Sequence, residues 1–120
     1  MAHFLLQVAY TADGWAALVK QPHNRLDEVR PVVARLGGSV DNQWVSFGDY
    51  DVVVLLQLPD NVSAAAFSIA VSAGGAVRAV KTTPLMSVEE GVDAMRTAGE
   101  VGYKPPAEWG GHSPPPTGAL

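Results

Sequence analysis

Three side chains that can hold or move a proton stand together near the middle of the chain, as Asp49, Tyr50 and Asp51. Paired carboxylates can act as general acid and general base when their surroundings separate their pKa values. Turn chemistry offers a structural alternative, in which Asp49 bonds the turn backbone and Asp51 accepts a hydrogen bond at a strand start. Tyr50 then either faces a pocket as a hydrogen-bond donor or shields the turn. We favour the structural role and keep these three residues as the catalytic candidates.

Three basic residues, Arg25, Arg78 and Lys81, are the candidates for binding an anionic ligand. Arg78 and Lys81 lie three positions apart on a predicted strand, so their side chains point to opposite faces and cannot form one patch alone. Either of them could instead pair with Asp51 or with an acid across a subunit interface. We therefore expect any ligand contact to come from a single basic residue and not from a basic patch.

Metal and cofactor chemistry has little support in the sequence. The chain has no cysteine, which excludes disulfides and thiolate sites. Its histidines, His3, His23 and His112, lack metal-ligand spacing and are expected to be solvated or in the core. The pair Gly74-Gly75 precedes a predicted strand and lacks the phosphate-loop pattern, so it is expected to end a helix. We predict no metal site and no cofactor.

Charge and hydropathy exclude two further classes of partner. The net charge is −4 and the basic residues are scattered among acids, whereas nucleic-acid-binding proteins usually carry a basic face. No apolar run approaches the roughly 20 residues that span a bilayer, and the first residues lack the pattern of a signal peptide. We expect no nucleic-acid or membrane partner, and the cytoplasm as the default location.

Hydrophobic periodicity and turn residues outline the elements that must position these side chains. Leu26, Val29, Val33 and Leu36 recur at helical spacing, although Pro31 within that stretch predicts a kink or a late helix start. The predicted strands are 3–10, 39–47, 52–58 and 76–83, and the predicted helices are 15–20, 24–36, 62–73 and a last one from the capping box at Ser87 to about residue 98.

This order, strand-helix-strand-strand-helix-strand, predicts an α+β fold of the ferredoxin-like βαββαβ type. The sheet has four antiparallel strands with helices on one face, and the first and third strands lie in its centre. A C-terminal helix completes a domain of residues 1–99. The segment 100–120 is rich in proline and glycine, so we expect an extended or disordered tail.

The third predicted strand, 52–58, is apolar almost without a break. A strand with one face in water alternates apolar and polar residues, whereas this one begins with five consecutive aliphatic side chains. The helices cover only one face, so we expect a second copy of the chain to cover the other, together with residues such as Leu5 and Gln7. The alternative is that the tail folds back over the sheet.

The turn before this strand carries the run Phe47-Gly48-Asp49-Tyr50-Asp51. It resembles the signature of the GYD-domain family of small bacterial and archaeal proteins, with an aspartate inserted between the glycine and the tyrosine. The similarity extends to Arg25, to Leu36-Gly37-Gly38 and to the segment 74–82, and it covers roughly residues 3–98. It implies a dimeric α/β barrel, in which two ferredoxin-like sheets face each other, and it implies no established activity.

Three functions fit these features, in decreasing order of preference. The first is an oligomeric binding or regulatory module that holds a small organic or anionic ligand. The second is a cofactor-independent enzyme acting on a small aromatic or carbonyl compound, with protons positioned by Asp49, Tyr50 or Asp51. The third is an assembly or accessory subunit whose tail, residues 103–120, binds another protein.

Overall fold

The computed structural model describes residues 1–106 and divides the chain into two compact units, residues 1–86 and a second unit that begins at Ser87. The first unit holds all the strands and three of the four α-helices that the structure describes. Its elements are β1 (Ala2–Tyr10), α1 (Ala12–Lys20), a 3-10 helix (Arg25–Glu28), α2 (Val29–Arg35), β2 (Ser39–Val45), β3 (Val52–Leu58), α3 (Asn61–Ala73) and β4 (Val77–Leu85).

The four strands form one antiparallel sheet in the order β2-β3-β1-β4. This is the predicted ferredoxin-like α+β fold, with β1 and β3 in the centre. Each of the two central strands is therefore hydrogen-bonded on both sides, and the β2 and β4 edges carry the less apolar sequences.

One face of the sheet encloses a hydrophobic core together with the 3-10 helix, α2 and α3. Alternate side chains of β1 and β3 point into it, as the period of two in a strand requires. The remaining core residues come from the 3-10 helix, α2 and α3. The buried core residues of these elements are Phe4, Leu6, Val8, Leu26, Val33, Val52, Val54, Leu56, Leu58, Ala64 and Phe67.

The other face of the sheet, called the second face here, carries Leu5 and Gln7 from β1 and Val53 and Leu55 from β3. These side chains are half-buried, between fully buried neighbours on the core side. Burial along β3 thus alternates although its apolar character does not. Cover of the second face by another chain remains a prediction.

Helix α1 begins three residues earlier than predicted, because Thr11 caps it by accepting a hydrogen bond from the Gly14 N–H at 3.0 Å. The run Thr11-Ala12-Asp13-Gly14, which lies between the predicted strand 3–10 and the predicted helix 15–20, is the cap and first turn of the helix. A Cβ on Gly14 would lie 2.5 Å from the Ala76 carbonyl oxygen. Glycine is therefore required by this close approach and not by a turn.

Two prolines have different effects on these elements. Pro31 limits where α2 can begin, whereas Pro84 does not end β4. Pro31 lies in the first turn of α2, where a missing N–H costs nothing, so the predicted late helix start is confirmed. Pro84 lies in β4, which continues two residues beyond its predicted end. The edge position of β4 allows this, since an edge strand tolerates a residue that cannot donate.

The second unit contains α4 (Val88–Glu100). Both hydrogen bonds of the predicted capping box are present, from the Glu90 N–H to Ser87 Oγ and from the Ser87 N–H to Glu90 Oε1, each at 3.1 Å. Residues 101–106 form neither helix nor strand. Most of the segment predicted to be a tail, from residue 107 onward, lies outside the described residues. No helix within residues 1–106 is long and apolar enough to cross a bilayer.

Candidate functional site

A cleft of about 330 Å³ opens in the first unit between α1, the 3-10 helix and the adjoining ends of β1, β2 and β3. We call it the α1 cleft. Its walls are mainly apolar, and they include Trp15, Leu18, Leu26, Val45 and Val52. Polar groups reach it from Tyr10, His23, Asn24 and Arg25. An apolar concavity with a few polar groups is the usual form of a small-molecule site.

A second cleft of about 220 Å³, here the α3 cleft, lies between the sheet, α2 and α3. Its walls include Val29, Phe67 and Val77. Four residues line both clefts, namely Tyr10, Arg25, Leu26 and Val52. Tyr10 and Arg25 are therefore the polar residues at the junction of the two clefts.

Tyr10 is the last residue of β1, and its ring packs edge-to-face on Trp15 with 5.2 Å between centroids. Burial raises the pKa of its hydroxyl, the Arg25 charge opposes that rise, and the Asp51 carboxylate adds to it. The net direction is upward, so Tyr10 is a neutral hydrogen-bond donor at physiological pH.

Arg25 opens the 3-10 helix, whose start is fixed by the Asn24 side chain accepting a hydrogen bond from the Leu26 N–H at 3.1 Å. Its guanidinium pairs with the carboxylate of Glu28 one turn later. His23 Nε2 lies 3.6 Å from Glu28 Oε1, and His23 Nδ1 lies 2.7 Å from the Gln21 carbonyl oxygen. About half of each of the Arg25 and Glu28 side chains is exposed.

Asp51, the second carboxylate of the hairpin, is only 8% exposed and makes three hydrogen bonds. Its Oδ2 accepts from the Tyr10 N–H at 2.9 Å, its N–H donates to the Val8 carbonyl at 2.8 Å, and its carbonyl accepts from the Ser46 N–H at 2.7 Å. Asp51 thus joins the ends of β1 and β2 to the start of β3. This geometry is that of a structural hydrogen-bond acceptor, which is the alternative to catalysis given for Asp51 from the sequence.

The other two catalytic candidates lie in the loop of the hairpin and line neither cleft. Asp49 is exposed, and its carbonyl accepts a hydrogen bond from the Arg78 guanidinium at 3.3 Å. The Tyr50 carbonyl accepts one from Ser46 Oγ at 2.7 Å. These bonds close the loop and end β2 at Val45, two residues before its predicted end at Phe47.

The three basic candidates are not brought together. Arg25 lies at the clefts, Arg78 lies against the hairpin loop, and Lys81 is exposed opposite Gln7 on the second face of the sheet. Of the three, Arg25 is thus the one positioned to meet a ligand in the α1 cleft.

Tyr10 and Glu28 are parts of this site that were not among the candidates predicted from the sequence. An Arg and a Glu three positions apart are a recognisable pair on a helical turn. Nothing in the sequence, however, shows that Tyr10 and Arg25, 15 positions apart, adjoin the same cleft. Among residues 1–106, no three His, Asp or Glu side chains are grouped so that they could hold a metal ion.

Two solved structures are similar to this chain at low identity. One is the crystal structure of FFRP-DM1, with 13% identity over 72% of this chain and 100% of that one and a TM-score of 0.45. The other is a hypothetical protein from Pyrococcus horikoshii, with 14% identity over 72% and 92% of the two chains and a TM-score of 0.46. The comparison with curated proteins found no significant match.

The resemblance carried by the hairpin signature is confirmed at the level of the family. A model of the GYD domain matches residues 4–95. This range includes the whole sheet beyond its first residues, Arg25 and the hairpin. The match covers well over half of the sequence, and the chain therefore belongs to the GYD-domain family.

Proposed function

We propose that this protein is a binding module for a small organic molecule, which it holds in the α1 cleft. The observation that supports the proposal is the cleft itself, whose mainly apolar lining includes Tyr10 and Arg25, two residues whose side chains carry hydrogen-bond donors. Apolar walls supply affinity by removing ligand surface from water, and a few polar groups orient the ligand.

The size of the cleft limits the ligand. A volume of about 330 Å³ is at the lower end of the range for drug-sized sites, so a ligand of roughly 10–15 non-hydrogen atoms fits. Trp15 and the aliphatic walls favour an aromatic ring or a short branched chain over a sugar or a nucleotide.

Binding is better supported than catalysis. Asp49 and Tyr50 do not line the cleft, and the Asp51 carboxylate is engaged by the backbone of Tyr10. If the protein were a cofactor-independent enzyme, no residue of the hairpin would be available at this cleft to transfer a proton. The assembly role depends on a tail that lies mostly outside the described residues.

We also propose that the module is a homo-oligomer joined through the second face of the sheet. Leu5, Val53 and Leu55 form an aliphatic strip across β1 and β3, and Trp44 extends it on β2 with 48% of its surface exposed. A stable interface buries about 800 Å² on each partner, which is the scale of one sheet face.

A cleft-blocking variant tests the binding proposal. Leu18→Trp places a larger side chain in the cleft wall, while Ala16→Trp adds the same side chain on α1 at an exposed position that does not line it. Isothermal titration with 4-phenylbutyramide, a neutral aromatic probe, is expected to show binding to the wild type and to Ala16→Trp, and at least ten-fold weaker binding to Leu18→Trp. Equal affinity in all three proteins would refute the assignment of the cleft.

A further inference from the structure

We propose that the ligand is an amphipathic carboxylate that replaces Glu28 as the ion-pair partner of Arg25. The proposal rests on the proposed function, because it names the chemical class of the molecule in the α1 cleft. Its apolar body would contact Trp15 and Leu18, and its carboxylate would lie at the junction with the α3 cleft.

The polar groups at this junction are mainly donors. Arg25 presents a planar guanidinium with five N–H groups, and Tyr10 presents a protonated hydroxyl. The side-chain oxygen of Asn24 is engaged by the Leu26 N–H, which leaves its NH₂ group as a further donor. A ligand group that matches a cation and neutral donors is an anion with several acceptor positions.

A carboxylate matches this set better than a phosphate does. One guanidinium can bind one carboxylate through two parallel hydrogen bonds, so a single arginine is sufficient. A phosphate group carries more charge and usually meets several cations or a helix N-terminus. Among the described residues, Arg25 is the one Lys or Arg that lines either cleft.

Glu28 holds the guanidinium of Arg25 in the absence of ligand and is displaceable. Both side chains are about half exposed, and exposed ion pairs contribute little because water competes for both partners. Glu28 lines the α3 cleft and not the α1 cleft, so it does not occupy the volume that the body of a ligand in the α1 cleft would fill. The ligand carboxylate therefore competes with Glu28 for the guanidinium and not for space.

In its protonated form His23 offers Glu28 a second partner once Arg25 turns to the ligand, because Nδ1 then donates to the Gln21 carbonyl while Nε2 faces Glu28 as a donor. Its Nε2 already lies 3.6 Å from Glu28 Oε1, and the contact of its Nδ1 with the Gln21 carbonyl orients the ring. The displaced carboxylate thus remains beside a polar group at the surface.

An isosteric pair of probes separates charge recognition from apolar binding. Isothermal titration compares 4-phenylbutyrate with 4-phenylbutyramide on the wild type, Arg25→Gln, Glu28→Gln and the control Arg30→Gln. Arg30 is exposed on α2 and lines neither cleft. Circular dichroism confirms that each variant is folded.

The wild type and Arg30→Gln are expected to bind the carboxylate about ten-fold more tightly than the amide, a factor typical of one charge-assisted hydrogen-bonded contact. Arg25→Gln is expected to lose that preference while keeping its affinity for the amide. Glu28→Gln, which removes the competitor, is expected to bind the carboxylate two- to five-fold more tightly with the amide unchanged.

The possible failures are distinct. If the wild type binds both probes equally well, or Arg25→Gln keeps the preference for the carboxylate, the carboxylate assignment is wrong and the binding function stands. If Glu28→Gln leaves the affinity for the carboxylate unchanged, the competition with Glu28 is wrong. If neither probe binds, the cleft is not the site, and both proposals are overturned.

Discussion

The carboxylate of Asp51 accepts a hydrogen bond at 2.9 Å from the backbone N–H of Tyr10, 41 residues earlier in the chain. The family's signature hairpin is thereby tied to the end of β1, at the residue whose side chain lines both clefts. Asp51 supports the proposed site by holding Tyr10 in place and has no direct contact with the cleft.

Removal of the Asp51 side chain is expected to destabilise the first unit. Asp51→Ala leaves the Tyr10 N–H without its acceptor in a partly buried position, which costs about 1–3 kcal/mol. Urea unfolding followed by circular dichroism measures the loss. Asp49→Ala, an exposed position in the same hairpin, is the control and is expected to change stability by less than about 0.5 kcal/mol. Equal effects of the two substitutions would contradict the structural role of Asp51.

Gly14→Ala is expected to lower stability, although alanine normally favours a helix. The added Cβ would lie 2.5 Å from the Ala76 carbonyl oxygen, so α1 or the start of β4 must shift, at a cost of about 1–3 kcal/mol. Gly48→Ala is the matched control, because a Cβ at that position would have no atom within 4 Å beyond its chain neighbours. Thermal unfolding of the two variants distinguishes the effects, and a stabilised Gly14→Ala would show that the close approach is not present.

Alkaline pH is expected to weaken the fold through Tyr10. Burial raises the pKa of its hydroxyl above the ordinary 10.0. The charge of Arg25 lowers this pKa and the charge of Asp51 raises it further, with a net increase, so the folded state favours the protonated phenol. This contribution is fully present below pH 10 and is lost as the pH rises through the higher pKa of the folded state. Urea unfolding of wild type and Tyr10→Phe between pH 8.5 and 11.5 measures it. The stability of the wild type relative to Tyr10→Phe should decline above pH 10, and a constant difference would refute the assignment.

Disruption of the second face is expected to dissociate the proposed oligomer. Leu55→Asp places a charge in the centre of the aliphatic strip, whereas Phe47→Asp places one in the exposed hairpin loop, with 96% of Phe47 exposed. Light scattering at micromolar concentration should give a multiple of the 12.6 kDa chain mass for the wild type and Phe47→Asp, and a single chain mass for Leu55→Asp. A monomeric wild type would contradict the proposal.

Local signals in the sequence predicted most of the elements. The bounds of β3 agree with the prediction because five aliphatic residues open the strand and Pro59 follows its last residue, Leu58. The ends of α3 and the start of α4 also follow local chemistry, since Asp60 and Ser87 each accept a hydrogen bond from an N–H three residues later. The order of these elements was sufficient to predict the fold.

Close approaches between distant segments could not be predicted. The sequence Asp13-Gly14 is typical of a turn, and only the carbonyl of Ala76 shows why glycine is required inside a helix. The end of β2 at Val45 likewise depends on the hydrogen bonds that close the hairpin loop. The end of β4 at Leu85 depends on the position of this strand at the edge of the sheet.

The sequence by itself determined most of the secondary structure, the family and Arg25 as a ligand-binding candidate, because caps, turn residues and periodicity act over a few neighbouring positions. Only the tertiary structure decided what the hairpin does. Asp51 became a structural acceptor because folding brings the end of β1 beside it, and Tyr10 entered the candidate site because the same contact places it next to Arg25. Such contacts depend on the path of the whole chain, which no short segment of the sequence specifies.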